Sequence, residues 1–290
     1  MNSQETTHSH EHVHPHDHGH SHGHAHSHWH SHGGGDESDL WSGQDYLAKP
    51  GVLEVAQITH QSILHSLASA GIDVEDLKRW DVLEIGSGPG AVTKHLLPTF
   101  ALVHAIDLSP SMIMSLNSYL PSSSYPSLTG TLHALSSSSA KIFEDGEPLS
   151  SPTSEDKSRK ISPPKAQFDL AVSNLVLHHV DDVDPFMLGA IGLLKKGGWF
   201  VLTEFGLVEN GKDKEEERDV TRMNKEGKAL KGGSVNAPDH YRPAASVESL
   251  TELFKSYGLV DVYAEKRGTL PVFGENGPQP PCLIVRGRKA

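Results

Sequence analysis

Apolar residues occur along this chain in short runs separated by polar turns, a pattern that predicts buried strands alternating with amphipathic helices. The apolar runs that predict strands lie at 82–85, 102–106, 127–135, 168–174, 199–204, 260–265 and 282–286. Apolar residues at helical spacing predict helices within 40–70 and at 92–97, 110–120 and 184–194. Strands that alternate with helices in this order are typical of an α/β fold with a mostly parallel sheet.

Two stretches interrupt the pattern. Residues 1–35 carry a histidine at every even position from His8 to His32, with mostly small or polar residues between them. Residues 136–166 are rich in Ser, Pro, Glu and Lys. Such compositions bury too little apolar surface to fold alone. We therefore predict a disordered His-rich tail at 1–35 and a folded domain at 36–290, with a disordered insertion at 136–166.

The thirteen tail histidines are candidate ligands for borderline metal ions such as zinc, nickel or copper. A tail without fixed geometry can bind such ions through several imidazoles at a time. We expect no structural or catalytic metal ion from it, and none in the folded domain. The alternative is a low-complexity extension with no selected role.

Charge and composition narrow the function classes. The formal charge of −12 argues against an intrinsic affinity for nucleic acid phosphates. No apolar run reaches about 18 residues and no secretory signal is present, so we expect neither membrane insertion nor export. The single cysteine, Cys282, fits a reducing compartment, and its place in the last strand favours a core role. These features predict a soluble cytoplasmic protein and leave its oligomeric state open.

The segment from the first predicted strand to the second carries the most specific motif. The strand at 82–85 leads into a glycine turn at 86–90, a helix follows, and the strand at 102–106 ends on Asp107. Such a turn lets the backbone approach a ligand, the helix N-terminus offers N–H groups, and a carboxylate at the second strand takes a ribose diol. The motif predicts a ligand built on adenosine.

Two kinds of cofactor fit this skeleton. The spacing Gly86-x-Gly88-x-x-Ala91 satisfies the dinucleotide fingerprint, and Asp107 lies about 20 residues beyond it. Glu84, however, is a carboxylate in an otherwise apolar strand, where a charge is costly without a partner. A cofactor with ammonium and sulfonium groups would supply that partner, whereas a pyrophosphate would be repelled. The alternative is that Glu84 only caps the turn.

Four motifs resemble, in order, those of the class I S-adenosylmethionine-dependent methyltransferases. They are VLEIGSGPG (82–90), AIDLSPSM (105–112), FDLAVSNLVLHHV (168–180) and LLKKGGWFVLTE (193–204). A fifth segment, 240–254, is similar to the late helix of the small-molecule methyltransferase branch. The resemblance implies a Rossmann-like doubly wound seven-stranded sheet, with helices on both faces and an antiparallel last strand. It also implies S-adenosylmethionine as the cofactor.

The resemblance also implies which residues bind the cofactor. On the matching motifs these are Glu84, Gly86, Ser87, Gly88, Pro89, Gly90, Asp107, Leu108, Met112, Asn174 and Leu175. Tyr46 and Trp41 are candidate lid residues or, equally, ordinary anchors of the N-terminal segment. Family members often carry an acidic residue after strand three for the adenine amino group. Here that position falls on His133 or Ser136, which leaves the adenine contact open.

Methyl transfer from a sulfonium needs mainly alignment, and a general base only when the acceptor must lose a proton. The candidate catalytic residues are His178, His179, His240 and Tyr241, each of which could instead serve packing or loop order. Asn174 could polarise an acceptor through its carbonyl oxygen. Glu204 could bind a cationic acceptor or cap a turn.

These observations predict a methyltransferase that acts on a small organic molecule by O-, N- or C-methylation. One alternative is a methyltransferase of protein side chains. The other is a metal-buffering protein whose His-rich tail is the functional element, with a domain that binds the cofactor without turnover.

Overall fold

The computed structural model describes residues 46–146, 149–150, 160–161, 167–206, 245–271 and 279–290 of the 290-residue chain. The predictions about Trp41, the tail from His8 to His32, His240 and Tyr241 lie outside these residues. No helix within the described ranges is long and apolar enough to cross a membrane.

Helices and strands alternate along most of the chain. The helices are α1 (Val52–Ser69), α2 (Val74–Leu77), α3 (Thr93–Leu96), α4 (Pro110–Tyr119), α5 (Ser139–Glu144), α6 (Val183–Gly192) and α7 (Val247–Ser256). The strands are β1 (Asp81–Ile85), β2 (Leu102–Asp107), β3 (Leu128–Leu132), β4 (Leu149–Ser150), β5 (Lys160–Ile161), β6 (Phe168–Asn174), β7 (Leu194–Phe205), β8 (Leu259–Thr269) and β9 (Pro281–Lys289). A 3-10 turn, Leu177–His179, follows β6.

The strands form one sheet in the order β5-β4-β3-β2-β1-β6-β7-β9-β8. The strands β3, β2, β1, β6 and β7 are parallel, whereas β9 is antiparallel to both of its neighbours. The two-residue β4 and β5 extend the edge beyond β3, and the other strands form the predicted seven-stranded Rossmann-like sheet. Strand order reverses between β1 and β6, so a crevice opens at the carboxyl ends of these two strands.

The core has two layers because side chains along each strand alternate between the faces of the sheet. Val82 and Val201 belong to the layer that also contains α1, α3 and α4. Leu83 and Leu202 belong to the layer that contains α5, α6 and α7. The prediction of helices on both faces is therefore confirmed. We call the first layer the α1 face, since that helix lies over the carboxyl end of β6.

Helix α5 lies inside the segment 136–166 that we predicted to be disordered, and for these residues the prediction is wrong. Phe143 is buried, and its ring packs edge-on against Phe168. The N–H of Ser136 donates to Ser139 Oγ at 2.9 Å, which fixes the turn before the helix. The adjacent apolar residues Ile142 and Phe143 within a polar stretch were the signal for this helix.

His104 is a fully enclosed histidine in β2. Its Nδ1 lies 2.7 Å from Thr129 Oγ1 and its Nε2 lies 3.2 Å from Thr131 Oγ1. The ring stacks on Phe168 at a centroid distance of 5.9 Å. Burial, and to a smaller degree the charge of His133, lowers the pKa of His104 to about 3. The folded protein therefore keeps this ring neutral at pH values where the unfolded chain protonates it.

We expect this residue to make the protein less stable in mild acid. As the pH falls below about 6.5, the unfolded chain binds a proton at position 104 that the folded state does not bind. The free energy of unfolding should then decrease by up to about 1.4 kcal/mol per pH unit because of His104 alone. Denaturant titrations of the wild type and of His104→Gln at a series of pH values measure this. Parallel pH profiles for the two proteins would contradict the prediction.

Strand β8 forms one edge of the sheet. Its register against β9 shifts twice, between Val260 and Tyr263 and between Lys266 and Thr269. At the first irregularity Asp261 has a φ of 53°, which is unusual for a residue other than glycine. The edge is therefore bulged rather than regular.

Candidate functional site

The glycines of the turn after β1 serve different needs. The N–H of Gly86 donates to the carbonyl oxygen of Ile106 at 2.9 Å, which holds the turn against the end of β2. A Cβ atom at Gly86 would lie 2.4 Å from Val176 Cγ2, so this glycine is required by packing within the chain. At Gly88 the nearest atom to such a Cβ is Met112 Sδ, at 4.0 Å. The backbone at Gly88 therefore leaves room for a ligand to approach closely.

The remaining residues of the turn face the protein. Ser87, Pro89 and Gly90 are buried, and the N–H of Gly90 donates to the carbonyl oxygen of Ser87 at 3.2 Å. A Cβ at Gly90 would lie 2.5 Å from Leu116 Cδ1. These three residues thus support the turn on the side that faces the protein interior.

Asp107 connects the turn to the start of α4. Its Oδ2 accepts the N–H of Gly88 at 2.8 Å, and its Oδ1 accepts the N–H of Ser109 at 2.9 Å. The next residue, Leu108, is 68% exposed, whereas Met112 in α4 is buried. An exposed large apolar side chain beside a carboxylate at the crevice is a suitable surface for a planar base.

Tyr46 lies near this carboxylate. Burial, and then the charge of Asp107, raises the pKa of the Tyr46 hydroxyl. The side chain packs against the core on the α1 face, and Lys49 Nζ lies 5.4 Å from the centre of its ring. The structure thus brings together Tyr46 and Asp107, which are 61 positions apart in the sequence.

Glu84 is a buried acid in the middle of the sheet, with 3% of its surface exposed. Thr93, at the start of α3, donates its hydroxyl to Glu84 Oε2 at 2.6 Å. Burial raises the pKa of Glu84 to about 8, against the hydrogen bond from Thr93, which lowers it. A cationic group placed beside Glu84 would favour its ionised form.

Asn174 ends β6 and is held by hydroxyl groups on both sides. Its Oδ1 accepts hydrogen bonds from Thr59 Oγ1 at 2.8 Å and from Thr203 Oγ1 at 2.7 Å. Our prediction that this carbonyl oxygen polarises an acceptor is wrong, because both of its lone pairs are engaged. Leu175 follows with a φ of 53°, a strained conformation of the kind that clusters at functional sites.

His178 is held at the crevice by the buried carboxylate of Glu204. Its Nδ1 lies 2.8 Å from Glu204 Oε1, and its backbone N–H donates to Oε2 at 3.2 Å. Because a carboxylate only accepts, Nδ1 carries a proton, and in the neutral ring the free lone pair is on Nε2. Nε2 has no hydrogen-bond partner in the described part of the chain, and the side chain is 19% exposed.

His179 differs from His178 although the two rings lie next to each other. The ring centroids are 4.0 Å apart, and His179 is exposed. Glu204 also accepts the N–H of Phe205 at 2.8 Å, so the carboxylate is fixed independently of the histidines. Of the two candidates, His178 is the one whose ring contacts this buried carboxylate.

Both candidates for the adenine contact are bound to the first turn of α5. His133 Nε2 lies 2.9 Å from Ser139 Oγ, and the N–H of Ser136 donates to the same oxygen. The backbone N–H of His133 donates to the carbonyl oxygen of Asp107 at 3.1 Å, which places this segment beside the end of β2.

Cys282 lies in β9, fully buried opposite Phe205. Burial raises the pKa of its thiol to about 11. A protonated, enclosed thiol is a poor nucleophile, which agrees with the predicted core role.

Three buried threonines at the site were missed by the sequence analysis. Thr59 and Thr203 each donate to the amide oxygen of Asn174, and Thr93 donates to the carboxylate of Glu84. The signal for Thr59 was its place within an apolar stripe, four residues after Val55 and four before Ile63. A polar residue at a buried position needs a partner, and here the partner belongs to the site.

The family comparison agrees with this geometry. A family model described as "Methyltransferase domain" matches residues 44–264, which is more than half of the chain. Among curated proteins, none matches the chain.

Solved structures of several methyltransferases are similar to this chain. Magnesium protoporphyrin IX methyltransferase from Synechocystis, with bound SAH, is 14% identical with a TM-score of 0.47, covering 82% of this chain and 86% of that one. An N-methyltransferase from Bradyrhizobium japonicum is 16% identical with a TM-score of 0.44, covering 81% of this chain and 97% of that one. A phosphoethanolamine N-methyltransferase from Haemonchus contortus is 16% identical with a TM-score of 0.49, covering 79% of this chain and 53% of that one. With TM-scores below 0.5, these likenesses do not bear on the acceptor of this chain.

Proposed function

Since the chain belongs to the methyltransferase family whose model it matches, and has the fold of the class I S-adenosylmethionine-dependent methyltransferases, we propose that it methylates a small organic acceptor. The observation that carries the proposal is the pairing of His178 with the buried Glu204 beside the crevice. An imidazole with a fixed orientation, and with one nitrogen that has no partner among the described residues, suits an acceptor that loses a proton, such as a hydroxyl group or an acidic carbon.

The residues around the crevice fit the cofactor. Asp107 would hold the ribose hydroxyls, the exposed Leu108 would cover the adenine, and the open backbone at Gly88 would approach the nucleoside. Glu84 and Asn174 would meet the methionine portion, where ammonium and sulfonium charges offset the cost of a buried carboxylate. The support for this fit is that, among the residues that the structure describes, the side chain of Glu84 has a hydrogen bond only with Thr93, an uncharged partner.

The catalytic role of the chain would be positioning and proton transfer. When bound, S-adenosylmethionine supplies a methyl group on a positively charged sulfur, so the donor needs no further activation. His178 Nε2 would accept the proton of the acceptor as the new bond to carbon forms. Glu204 would stabilise the resulting imidazolium through its contact with Nδ1, and it would keep the ring in the productive orientation.

We also propose that the tail from His8 to His32 binds divalent zinc, nickel or copper ions independently of the domain. The support is the strict alternation of its thirteen histidines, which offers many neutral imidazole ligands in any conformation. Metal binding by the tail would then be an accessory property and not the main function of the protein.

We expect the purified chain to bind S-adenosylhomocysteine, the product of the cofactor, and not NAD. Calorimetric titration with each ligand measures this. Incubation with tritium-labelled S-adenosylmethionine and a cell extract, separated into ultrafiltered metabolites and protein, should place the label in the metabolite fraction. Label confined to protein would favour a protein side-chain acceptor. Binding of NAD without binding of S-adenosylhomocysteine would refute the proposed function.

The same experiment on the chain without residues 1–35 separates the role of the tail. Methyl transfer should be unchanged, whereas the capacity to bind nickel should fall sharply. Loss of methyl transfer in the shortened chain would show that the tail takes part in the reaction.

A further inference from the structure

Two buried threonines from distant parts of the chain fix the amide group of Asn174. Thr59 belongs to α1 and Thr203 to β7, and their exposed fractions are 0% and 1%. Both hydroxyl groups donate to Oδ1, at 2.8 and 2.7 Å. An amide oxygen offers two lone pairs, so these bonds saturate it and fix which way the amide is turned. The nitrogen is then the group that Asn174 can offer to a ligand.

The surroundings of this nitrogen point to the ligand site. Nδ2 has no hydrogen-bond partner within the described ranges. It is also not fully enclosed, because the fully buried side-chain atoms that lack a partner in these ranges belong to β8 and β9. Ser173 pairs with Ile85, so Asn174 lies beside Gly86 at the start of the glycine turn. An NH₂ group can only donate a hydrogen bond. The ligand atom beside it must therefore be an acceptor.

We propose that Thr59 and Thr203 are positioning residues that direct the amide nitrogen of Asn174 toward the methionine carboxylate of the bound cofactor. This inference rests on the proposed function. Glu84 lies in the neighbouring strand β1, on the same face of the sheet as Asn174. In the register of the two strands it is two positions closer to the amino end. An acid at that place attracts the ammonium group of the methionine portion and repels its carboxylate. The carboxylate then requires a donor nearby, which the fixed amide supplies.

The arrangement also connects α1 to the ligand site. The hydrogen bond from Thr59 spans 115 positions in the sequence, and it joins α1 to the carboxyl end of β6. Removing this hydroxyl leaves Thr203 as the single donor to Oδ1. The amide is then free to turn, and it presents oxygen to the ligand for part of the time.

The test compares two ligands that differ in the amino-acid portion, which carries the carboxylate that Asn174 is proposed to meet. S-adenosylhomocysteine carries the full amino-acid chain, and 5′-methylthioadenosine is the same thioether nucleoside without it. Thr59→Val should weaken binding of the first about fivefold, the effect of one uncharged hydrogen bond, and leave the second unchanged. Asn174→Asp, which replaces the donor by an acceptor, should weaken the first more strongly and again spare the second. Both affinities are measured by calorimetry.

Control variants separate positioning from packing. Thr59→Ser keeps the hydroxyl and should retain the wild-type affinities. Ser62→Ala removes a buried hydroxyl one turn further along α1, where it donates to the carbonyl oxygen of Ile58 and not to Asn174, and should also leave them unchanged. If Thr59→Val does not fold, Thr203→Val removes the other donor and tests the same claim.

Each outcome of these titrations either supports or overturns the inference. Equal losses for both ligands would assign the threonines a structural role and overturn the inference, as would no loss for either. In both cases the proposed function would stand, because the wild type would still bind the cofactor product. Failure of the wild type to bind either ligand would instead overturn the proposed function and this inference with it.

Discussion

Replacing His178 by alanine is expected to lower the rate of methyl transfer about a hundredfold or more for acceptors that must lose a proton. The variant lacks the imidazole that Glu204 holds at the crevice through a contact of 2.8 Å. Glu204→Gln should lower the rate less, because the ring remains but the charge that stabilises its protonated form is gone. Transfer of tritium from labelled S-adenosylmethionine to the acceptor measures both rates. Affinity for S-adenosylhomocysteine should be unchanged in both variants.

A second His–Glu pair provides the control. His65 Nε2 in α1 lies 3.6 Å from Glu265 Oε1 in β8. His65→Ala removes the same chemical group from this other pair and should leave the rate at the wild-type value. If the rate of His178→Ala also stays at the wild-type value, His178 is ruled out as the base. Equal slowing for acceptors that need no deprotonation would indicate a structural role.

Replacing Asp107 by alanine is expected to weaken binding of S-adenosylhomocysteine about tenfold or more, the effect of losing hydrogen bonds to a charged group. The loss has two sources, since this carboxylate accepts the N–H groups of Gly88 and Ser109 and would also accept the ribose hydroxyls. Calorimetry gives the affinity. Asp169→Ala is the matched control, because Asp169 Oδ2 also accepts a backbone N–H, at 2.9 Å, but at the amino ends of the strands, away from the crevice.

Adenosine and 2′,3′-dideoxyadenosine separate the two sources of this loss. The wild type should prefer adenosine in ligand-observed NMR, and the Asp107→Ala variant should bind the two nucleosides equally weakly. A preference for adenosine that survives in the variant would mean that another residue holds the ribose. Asp107 would then act only by fixing the glycine turn.

The order of elements and the position of the crevice could be predicted from the sequence because they depend on local patterns. Apolar runs and the glycine turn predicted the bounds of β1, β2 and β6 to within a residue. Ser109 and Pro110 predicted the start of α4. Helix α5 was missed because its six residues show too short a periodicity within a polar segment. The reason for its apolar residues becomes visible only in the folded structure, where they pack into the core.

The pairings within the site could not be predicted, because they depend on contacts between distant residues. Glu204 was named as a cap or a ligand for a cationic acceptor, and only the parallel pairing of β6 with β7 brings it to His178. The role of Asn174 changed for the same reason. From the sequence alone, its carbonyl oxygen was expected to be free to contact an acceptor. In the structure, hydroxyl groups from β7 and from α1 donate to that oxygen. Such effects follow from tertiary packing and leave only weak local signals.

The irregular edge of the sheet has a consequence for behaviour at high concentration. An incoming strand from a second molecule needs a straight row of N–H and C=O groups to pair with, and the two register shifts in β8 interrupt that row. Charged residues at Asp261, Glu265, Lys266 and Arg267 add electrostatic and desolvation penalties to such a contact. We therefore expect this side of the molecule to resist fibril-like aggregation, even though the edge strand is eleven residues long.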